Sequence, residues 1–396
     1  MWRLGFVFHE MASGLLSVFL PLYIVTIDPV NALLDIGIMS AVAVILAIPA
    51  SFLWGYICDK TRHYKRYILL SFLSLAVILY LFTLTSNVWL LIVLYALFSI
   101  LHAAHEPPKN VLVAELYPRE EWEKTFAFYE GFTEIGWLAG LLLGFFLSTM
   151  GLTQFFSLPL CSSLNLAAFI LTIFLVNDPV LIFERGLVAI EKTMDFIGKG
   201  VSIVSKIMYG FSPDETFREE NINAFCCGLI LFSLATSTIF TPLPVFFSRE
   251  LAIPQSLIFE LYALNSTGSV LAYFIAGQRS DRSVEKSALC RIAIFRSMLV
   301  FFLMVTVQLL MFSAILIAII LFLMGFLYAL FLIYTLALSM EIMPEGKAGL
   351  FNVLISLGGA FGSFIGPFLA DEYGFAYTIL VSGVTFLFSF AAFKIF

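Results

Sequence analysis

Charge is what this sequence lacks. Only 12% of its 396 residues are Asp, Glu, Lys or Arg, while 61% are hydrophobic and the mean hydropathy is +1.02. A soluble domain carries about a quarter charged residues, so these values exclude one and leave a polytopic membrane protein. The net charge of −6 decides little, because placement matters more than the sum when most of the chain lies in lipid. The basic residues form short loop clusters without interleaved aromatics, which excludes a nucleic-acid groove. The five cysteines, Cys58, Cys161, Cys226, Cys227 and Cys290, offer neither a plausible extracytoplasmic pair nor a C-x-x-C spacing. They read as structural thiols. No Gly-x-x-x-x-Gly-Lys-(Ser/Thr) occurs, so ATP is not expected to drive the protein directly. No cofactor and no metal are expected.

What the sequence has is long apolar runs. A spanning helix needs about 20 apolar residues. Twelve segments qualify: 4–27, 32–58, 67–84, 88–113, 125–148, 154–177, 222–247, 254–276, 289–310, 313–340, 348–370 and 374–396, numbered helix 1 to helix 12. The first follows Met-Trp-Arg without a small-residue cleavage site and is expected to be an uncleaved spanning helix. Connections are short except for 178–221. The expected architecture is therefore all-α and polytopic, with six-helix bundles at 1–177 and 222–396 joined by a cytoplasmic linker at 178–221. In that linker Leu187, Ile190, Met194, Ile197, Val201, Val204 and Met208 recur at helical spacing opposite Lys192, Lys199 and Lys206. This pattern predicts an amphipathic helix lying on the membrane.

Basic residues stay on the cytoplasmic side. All of the 21 Lys and Arg except Arg249 and Lys109 fall to one side of the predicted spans, with Arg291 and Arg296 counted among the cytoplasmic group. This predicts a multi-pass protein of the cell (plasma) membrane with both termini cytoplasmic. Trp2, Trp54, Trp89 and Trp122 fall at or near predicted helix ends, as an interfacial aromatic belt requires.

The two halves repeat. Gly55-Tyr-Ile-Cys-Asp59-Lys60 follows helix 2, and Gly277-Gln-Arg-Ser-Asp281-Arg282 follows helix 8. Glu115-Leu-Tyr-Pro118 and Glu341-Ile-Met-Pro344 form a second pair, trailed by Gly136/Gly140 and Gly362/Gly366 at the same offset of 226 positions. Two copies of one membrane unit are the organisation of a carrier that rocks about a central site.

On these residues the chain resembles the major facilitator superfamily over essentially its whole length. Gly55, Asp59, Lys60, Lys65 and Arg66 match that family's loop between helices 2 and 3, with Arg62 at the position of its second glycine. A degenerate copy follows helix 8, and the loop from Ala114 to Glu121 is similar to the family's loop after helix 4. The resemblance implies two pseudo-symmetric six-helix bundles and a central cavity lined by helices 1, 4, 7 and 10. It also implies a cytoplasmic latch in which Asp59 meets the N-terminus of helix 11, a favourable place for a carboxylate. Gly55 is expected to let helix backbones approach closely. Gly136, Gly140 and Gly144 resemble the family's glycine-rich helix 5 without its Gly-Pro step, and close packing explains them.

Ionisable groups in the hydrocarbon layer are costly and usually functional. They concentrate in the first half. Helix 4 carries His102, His105, Glu106 and Lys109 along one face; helix 1 adds His9 and Glu10, and helix 5 adds Glu130 and Glu134. Lys109 is expected to neutralise Glu106 or Glu130. Carboxylates that can exchange protons beside histidines are what proton coupling needs, and a closed structural network is the competing reading. Pro107-Pro108 removes backbone hydrogen bonds at the same place. The second half offers neutral groups, Thr236, Ser237, Thr238, Thr241, Asn265, Tyr328 and Tyr334, suited to an organic solute.

The expected function is secondary active transport of a small organic solute by alternating access, coupled to protons, with efflux favoured over uptake and the chain acting as a monomer in the bilayer. The excess carboxylate leans towards a cationic or zwitterionic solute. A transport-inactive sensor or scaffold on the same fold is the alternative. An intramembrane enzyme is the remote one: His9-Glu10-Met-Ala-Ser13 lacks the second histidine of H-E-x-x-H, and His102-Ala-Ala-His105-Glu106 has its glutamate misplaced.

Overall fold

Long apolar runs in lipid satisfy their backbone groups only by closing them within helices. The computed structural model of the chain describes residues 3–116, 122–177, 221–276, 285–309, 313–342 and 348–396, and no strand occurs among them. Helix 1 is Leu4–Ile27, helix 2 Ala32–Thr61, helix 3 Tyr64–Phe82, helix 5 Trp122–Thr149 and helix 6 Thr153–Leu175. Helix 8 is Gln255–Ala276, helix 9 Glu285–Leu309, helix 10 Ala314–Ile342, helix 11 Ala348–Tyr373 and helix 12 Phe375–Ile395. Two are broken: helix 4 runs Val88–His102, a 3-10 turn Ala103–His105, then Glu106–Leu116, and helix 7 runs Ile222–Phe240, then Leu243–Arg249. Eleven are long and apolar enough to cross a membrane. Helix 8 has the length, but Glu260, Asn265, Ser266, Thr267 and Ser269 interrupt its apolar run.

Packing repeats between the halves as the sequence does. Helix 1 packs on helices 5 and 6, helix 3 on 6, and helix 2 on 4; in the second half helix 7 packs on 11 and 12, helix 9 on 12, and helix 8 on 10. The halves meet where helix 5 packs on helix 8 and helix 2 on helix 11. Arg249 at the end of helix 7 reaches Pro29 after helix 1, and Phe396 packs on Phe225 at the start of helix 7, so both described chain ends lie at one end of the bundle, the termini end.

The repeated glycines do the same work twice. A Cβ on Gly140 would run into the Met11 carbonyl of helix 1, and one on Gly366 into the Thr238 carbonyl of helix 7. Each therefore marks a backbone contact that no larger residue permits, as small residues do in membranes. Gly55 differs from its expected role: no described atom lies within 4 Å of where its Cβ would sit. Arg62 caps helix 2 with a left-handed φ of 55°. Glycine adopts that conformation without steric cost, which accounts for the family's glycine at this position.

At the end opposite the termini, Asp28 closes the turn after helix 1. Its carboxylate accepts the backbone N–H groups of Val30 (3.1 Å) and Asn31 (3.0 Å) and the Asn31 side-chain amide (3.1 Å). These bonds, the Asn31 backbone first, hold its carboxyl below the usual carboxylate range. Beside it the Arg249 guanidinium, from the second half, donates to the Pro29 carbonyl.

Two expectations need correction or reassignment. Arg296 is not a cytoplasmic loop residue: it lies inside helix 9 and is 0% exposed. Its place in the apolar run, beyond the first two turns of that helix, outweighs its basic neighbourhood in sequence. Trp54 sits within helix 2, and its indole N–H donates to the Ile100 carbonyl at 2.9 Å, so it ties helix 2 to helix 4. The linker's expected amphipathic helix lies outside the described residues.

Candidate functional site

The break in helix 4 begins with proline chemistry. Pro107 and Pro108 have no N–H to give the carbonyls of Ala103 and Ala104. The ladder fails there and the backbone tightens into the 3-10 turn Ala103–His105. Glu106 then opens the second helical piece. The break thus presents His102, His105, Glu106 and Lys109 together.

Lys109 is the hub. Its Nζ stands 2.7 Å from Glu106 Oε2 and 3.7 Å from Glu130 Oε1, and 5.4 Å above the Tyr129 ring. Its side chain is 10% exposed, against 38% for Glu106 and 40% for Glu130, so the carboxylates keep accessible surface while the ammonium is nearly sealed. The other oxygen of Glu106 lies 3.3 Å from His105 Nε2. Glu10 shares this environment, with Lys109, Glu106, Glu130 and Glu134 as its charged neighbours.

Behind the hub lie three imidazoles. The rings of His9, His102 and His105 stand with centroids 4.7 to 5.0 Å apart. His9 stacks on Phe72 and is fully buried, His105 is 1% exposed, and His102 is half-buried. Neither H-E-x-x-H-like stretch could reveal this group, because helix 1 supplies one ring and helix 4 the other two.

Glu134 reaches across the seam. Ser266 Oγ, on helix 8, donates to Glu134 Oε1 at 2.7 Å. Around it helix 5 meets helix 8 through Gly131 against Tyr273 and Phe128 against Phe274. A hydroxyl bonded to a carboxylate holds more strongly than to a neutral acid. The bond joining the two halves at mid-depth is therefore one that proton transfer weakens.

The second half contributes a cation that sequence reasoning missed. Arg296 lies among the rings of Phe232, Phe386, Tyr328 and Phe240, 5.1 to 5.9 Å from their centroids. None of its side-chain nitrogens has a hydrogen-bond partner among the described residues. Tyr328 remains partly exposed. Asn265 is engaged, its side-chain amide donating to the Leu321 carbonyl of helix 10 at 2.7 Å.

Of the loop residues singled out by sequence, Lys60 and Arg66 are exposed, and the Lys60 ammonium lies 5.8 Å from the Tyr56 ring centroid. Asp59 closes the last turn of helix 2, with its side chain outside what the structure describes. Gly277, Asp281 and Arg282 lie outside the described residues, as does the loop preceding helix 11. Arg296 is an addition that the structure makes to the candidate list.

Comparison with known proteins places this geometry. The family profile described as Major Facilitator Superfamily matches residues 4–352 and 225–396. An uncharacterized MFS-type transporter of Bacillus subtilis, YqjV, is 26% identical over 156 residues, which span 39% of this chain and 38% of that protein. Among solved structures, the human organic anion transporter MFSD10 aligns with a TM-score of 0.67 at 14% identity, covering 99% of this chain and 97% of its own. A structure described under substrate recognition in proton dependent oligopeptide transporters aligns with a TM-score of 0.72 at 14% identity, covering 99% and 95%.

Proposed function

From the premise that this chain belongs to the Major Facilitator Superfamily, we propose that it carries a small cationic or zwitterionic organic solute by alternating access, with protons as the coupling ion. The observation that carries the proposal is the 2.7 Å bond from Ser266 to Glu134 across the seam. When Glu134 is ionised the bond is charge-assisted and holds helix 5 to helix 8. When Glu134 takes a proton the bond weakens, and the halves can part there. Protonation and opening then share one free-energy term, which is what coupling requires.

Solute and the remaining carboxylates supply the other half of the cycle. Lys109 neutralises Glu106 first, by distance, so Glu130 and Glu10 are left to attract a cationic group or hold protons. The excess of carboxylate over cation in this cavity favours an amine-bearing solute. One solved neighbour is described as proton dependent, which supports protons as the driving ion. The proposal places the protein in the plasma membrane as a monomer with cytoplasmic termini, on the strength of the basic loops.

The test is solute-dependent proton movement in proteoliposomes loaded with a pH-sensitive dye and challenged with a panel of cationic and zwitterionic amines. A subset is expected to move protons with the parent protein, and Glu134→Gln is expected to abolish that movement while leaving solute counterflow measurable. Counterflow that needs no pH gradient, and is as fast in parent as in Glu134→Gln at every pH, would remove protons from the mechanism. The sign of the dye signal in right-side-out against everted orientation reads the direction of transport.

A further inference from the structure

We propose that His9, His102 and His105 form a three-nitrogen site for a divalent first-row transition cation of the zinc class. Each residue offers one ring nitrogen, and these nitrogens all lie within 4.8 Å of one another. Proximity alone would describe a stack of aromatic rings. The hydrogen bonds around His9 say more.

The Asn165 side-chain amide donates through Nδ2 to the Cys161 carbonyl at 3.0 Å, which fixes which way the amide points. Its Oδ1 therefore faces His9 Nδ1, at 2.8 Å. An amide oxygen can only accept, so His9 Nδ1 carries the ring proton and Nε2 carries the lone pair. That Nε2 is buried and has no hydrogen-bond partner among the described residues. A buried lone pair without a donor is costly, and it needs either a proton donor or a cation. An imidazole whose far nitrogen is held by an oxygen acceptor is also the arrangement that orients metal-binding histidines and raises their basicity.

The other two rings sit at the break in helix 4. His102 ends the first piece of helix 4 and His105 ends the 3-10 turn. His105 is held only by contacts of 3.3 Å, from Nδ1 to Ser71 Oγ and from Nε2 to Glu106 Oε1, so one nitrogen can be exchanged for a metal bond at small cost. Zinc–nitrogen bonds of about 2.0–2.1 Å in a tetrahedral site require the three nitrogens to close by about 1.5 Å from the upper limit of their present spacing. The turn, already released from the helical ladder by Pro107 and Pro108, is where that movement is available. Half-buried His102 provides the route in.

The donor set decides the cation. Three neutral imidazoles suit zinc, cobalt, nickel or copper, whereas magnesium and calcium demand oxygen ligands. Glu106 lies beside the site to offset part of the added charge, and Lys109 on its far oxygen keeps the sum moderate. The site would tie helix 1 to helix 4 within one bundle, independently of the proton cycle proposed above.

Tag-free full-length protein in detergent, stripped with chelator, is titrated with Co2+ and read by visible absorption, followed by Zn2+ and Mg2+ competition. One equivalent of Co2+ is expected, with the intense visible bands of a low-coordinate nitrogen-ligated ion. Zn2+ is expected to displace it and Mg2+ not. His102→Gln is expected to weaken binding at least 100-fold, and Asn165→Ala, which leaves all three ligands in place, 10- to 100-fold. The parent's spectrum carries the test even if His9→Gln, whose ring is wholly buried, does not fold. Absence of saturable Co2+ uptake by the parent overturns the proposal. So does uptake that His102→Gln leaves unchanged, which would place the metal elsewhere.

Discussion

Lys109→Met is expected to destabilise the protein by about 2–3 kcal/mol. Removing one partner of a fully buried ion pair costs about 3–5 kcal/mol, because the other charge is left uncompensated. Here Glu106 and Glu130 are 38% and 40% exposed, so water screens part of that loss and the figure is reduced accordingly. Without the ammonium, two carboxylates and Glu10 face one another across the cavity. The double variant Lys109→Met/Glu106→Gln removes the closer of the facing charges and is expected to recover at least half of the loss. Thermal unfolding of the four proteins of this cycle gives the coupling energy directly. A Lys109→Met protein that melts with the parent would mean that solvent alone compensates these carboxylates.

Arg296→Met is expected to go the other way. Arg296 is fully buried, with four aromatic rings and no hydrogen-bond acceptor around it among the described residues. A ring face attracts a desolvated guanidinium by about 2 kcal/mol or more, but it leaves the N–H donors without acceptors. Taking the charge out of water costs several kcal/mol, even after the surroundings relax. Methionine keeps the stem, fills the space between Phe232 and Phe386, and carries no charge. The variant is therefore expected to be more stable by about 1–4 kcal/mol, the range found when buried ionic groups give way to apolar ones. The same variant is expected to lose solute-dependent proton movement, because a cation that folding does not need is kept for function. A variant destabilised by more than about 1 kcal/mol would show that the guanidinium has a hydrogen-bonding partner in the intact protein.

The sequence disclosed the frame because membranes leave so few alternatives. Length and hydropathy alone locate the spans, and the repeated glycines locate the close approaches of helix 5 to helix 1 and of helix 11 to helix 7. The Lys109 network was also visible, since helical periodicity puts His105, Glu106 and Lys109 on one side of helix 4. What stayed hidden involves partners on different helices. His9 and Asn165 are 156 positions apart, and Glu134 and Ser266 are 132 apart and in opposite halves. No local pattern predicts either meeting. Arg296 was misplaced for another reason. Counting basic residues near loops weights their sequence neighbourhood, and Arg291, one and a half turns earlier, is exposed while Arg296 is sealed. Its depth inside an apolar run was the available signal. Gly55 was assigned to close packing by its motif, and no described atom lies within 4 Å of where its Cβ would sit; residue type identifies a loop without fixing what the loop touches.

The account's central claim is that protonation of Glu134 loosens the seam between the halves. Spin labels at Ser86→Cys and Glu372→Cys, both exposed and on opposite halves at the end away from the termini, read that seam without knowledge of the solute. The labels require replacement of the five native cysteines. Pulsed electron–electron resonance across pH 5 to 8 is expected to resolve two distance populations whose ratio shifts with pH, and Glu134→Gln is expected to fix that ratio at its low-pH value. A single distance distribution that neither pH nor Glu134→Gln moves, in protein that remains folded throughout, would contradict the claim.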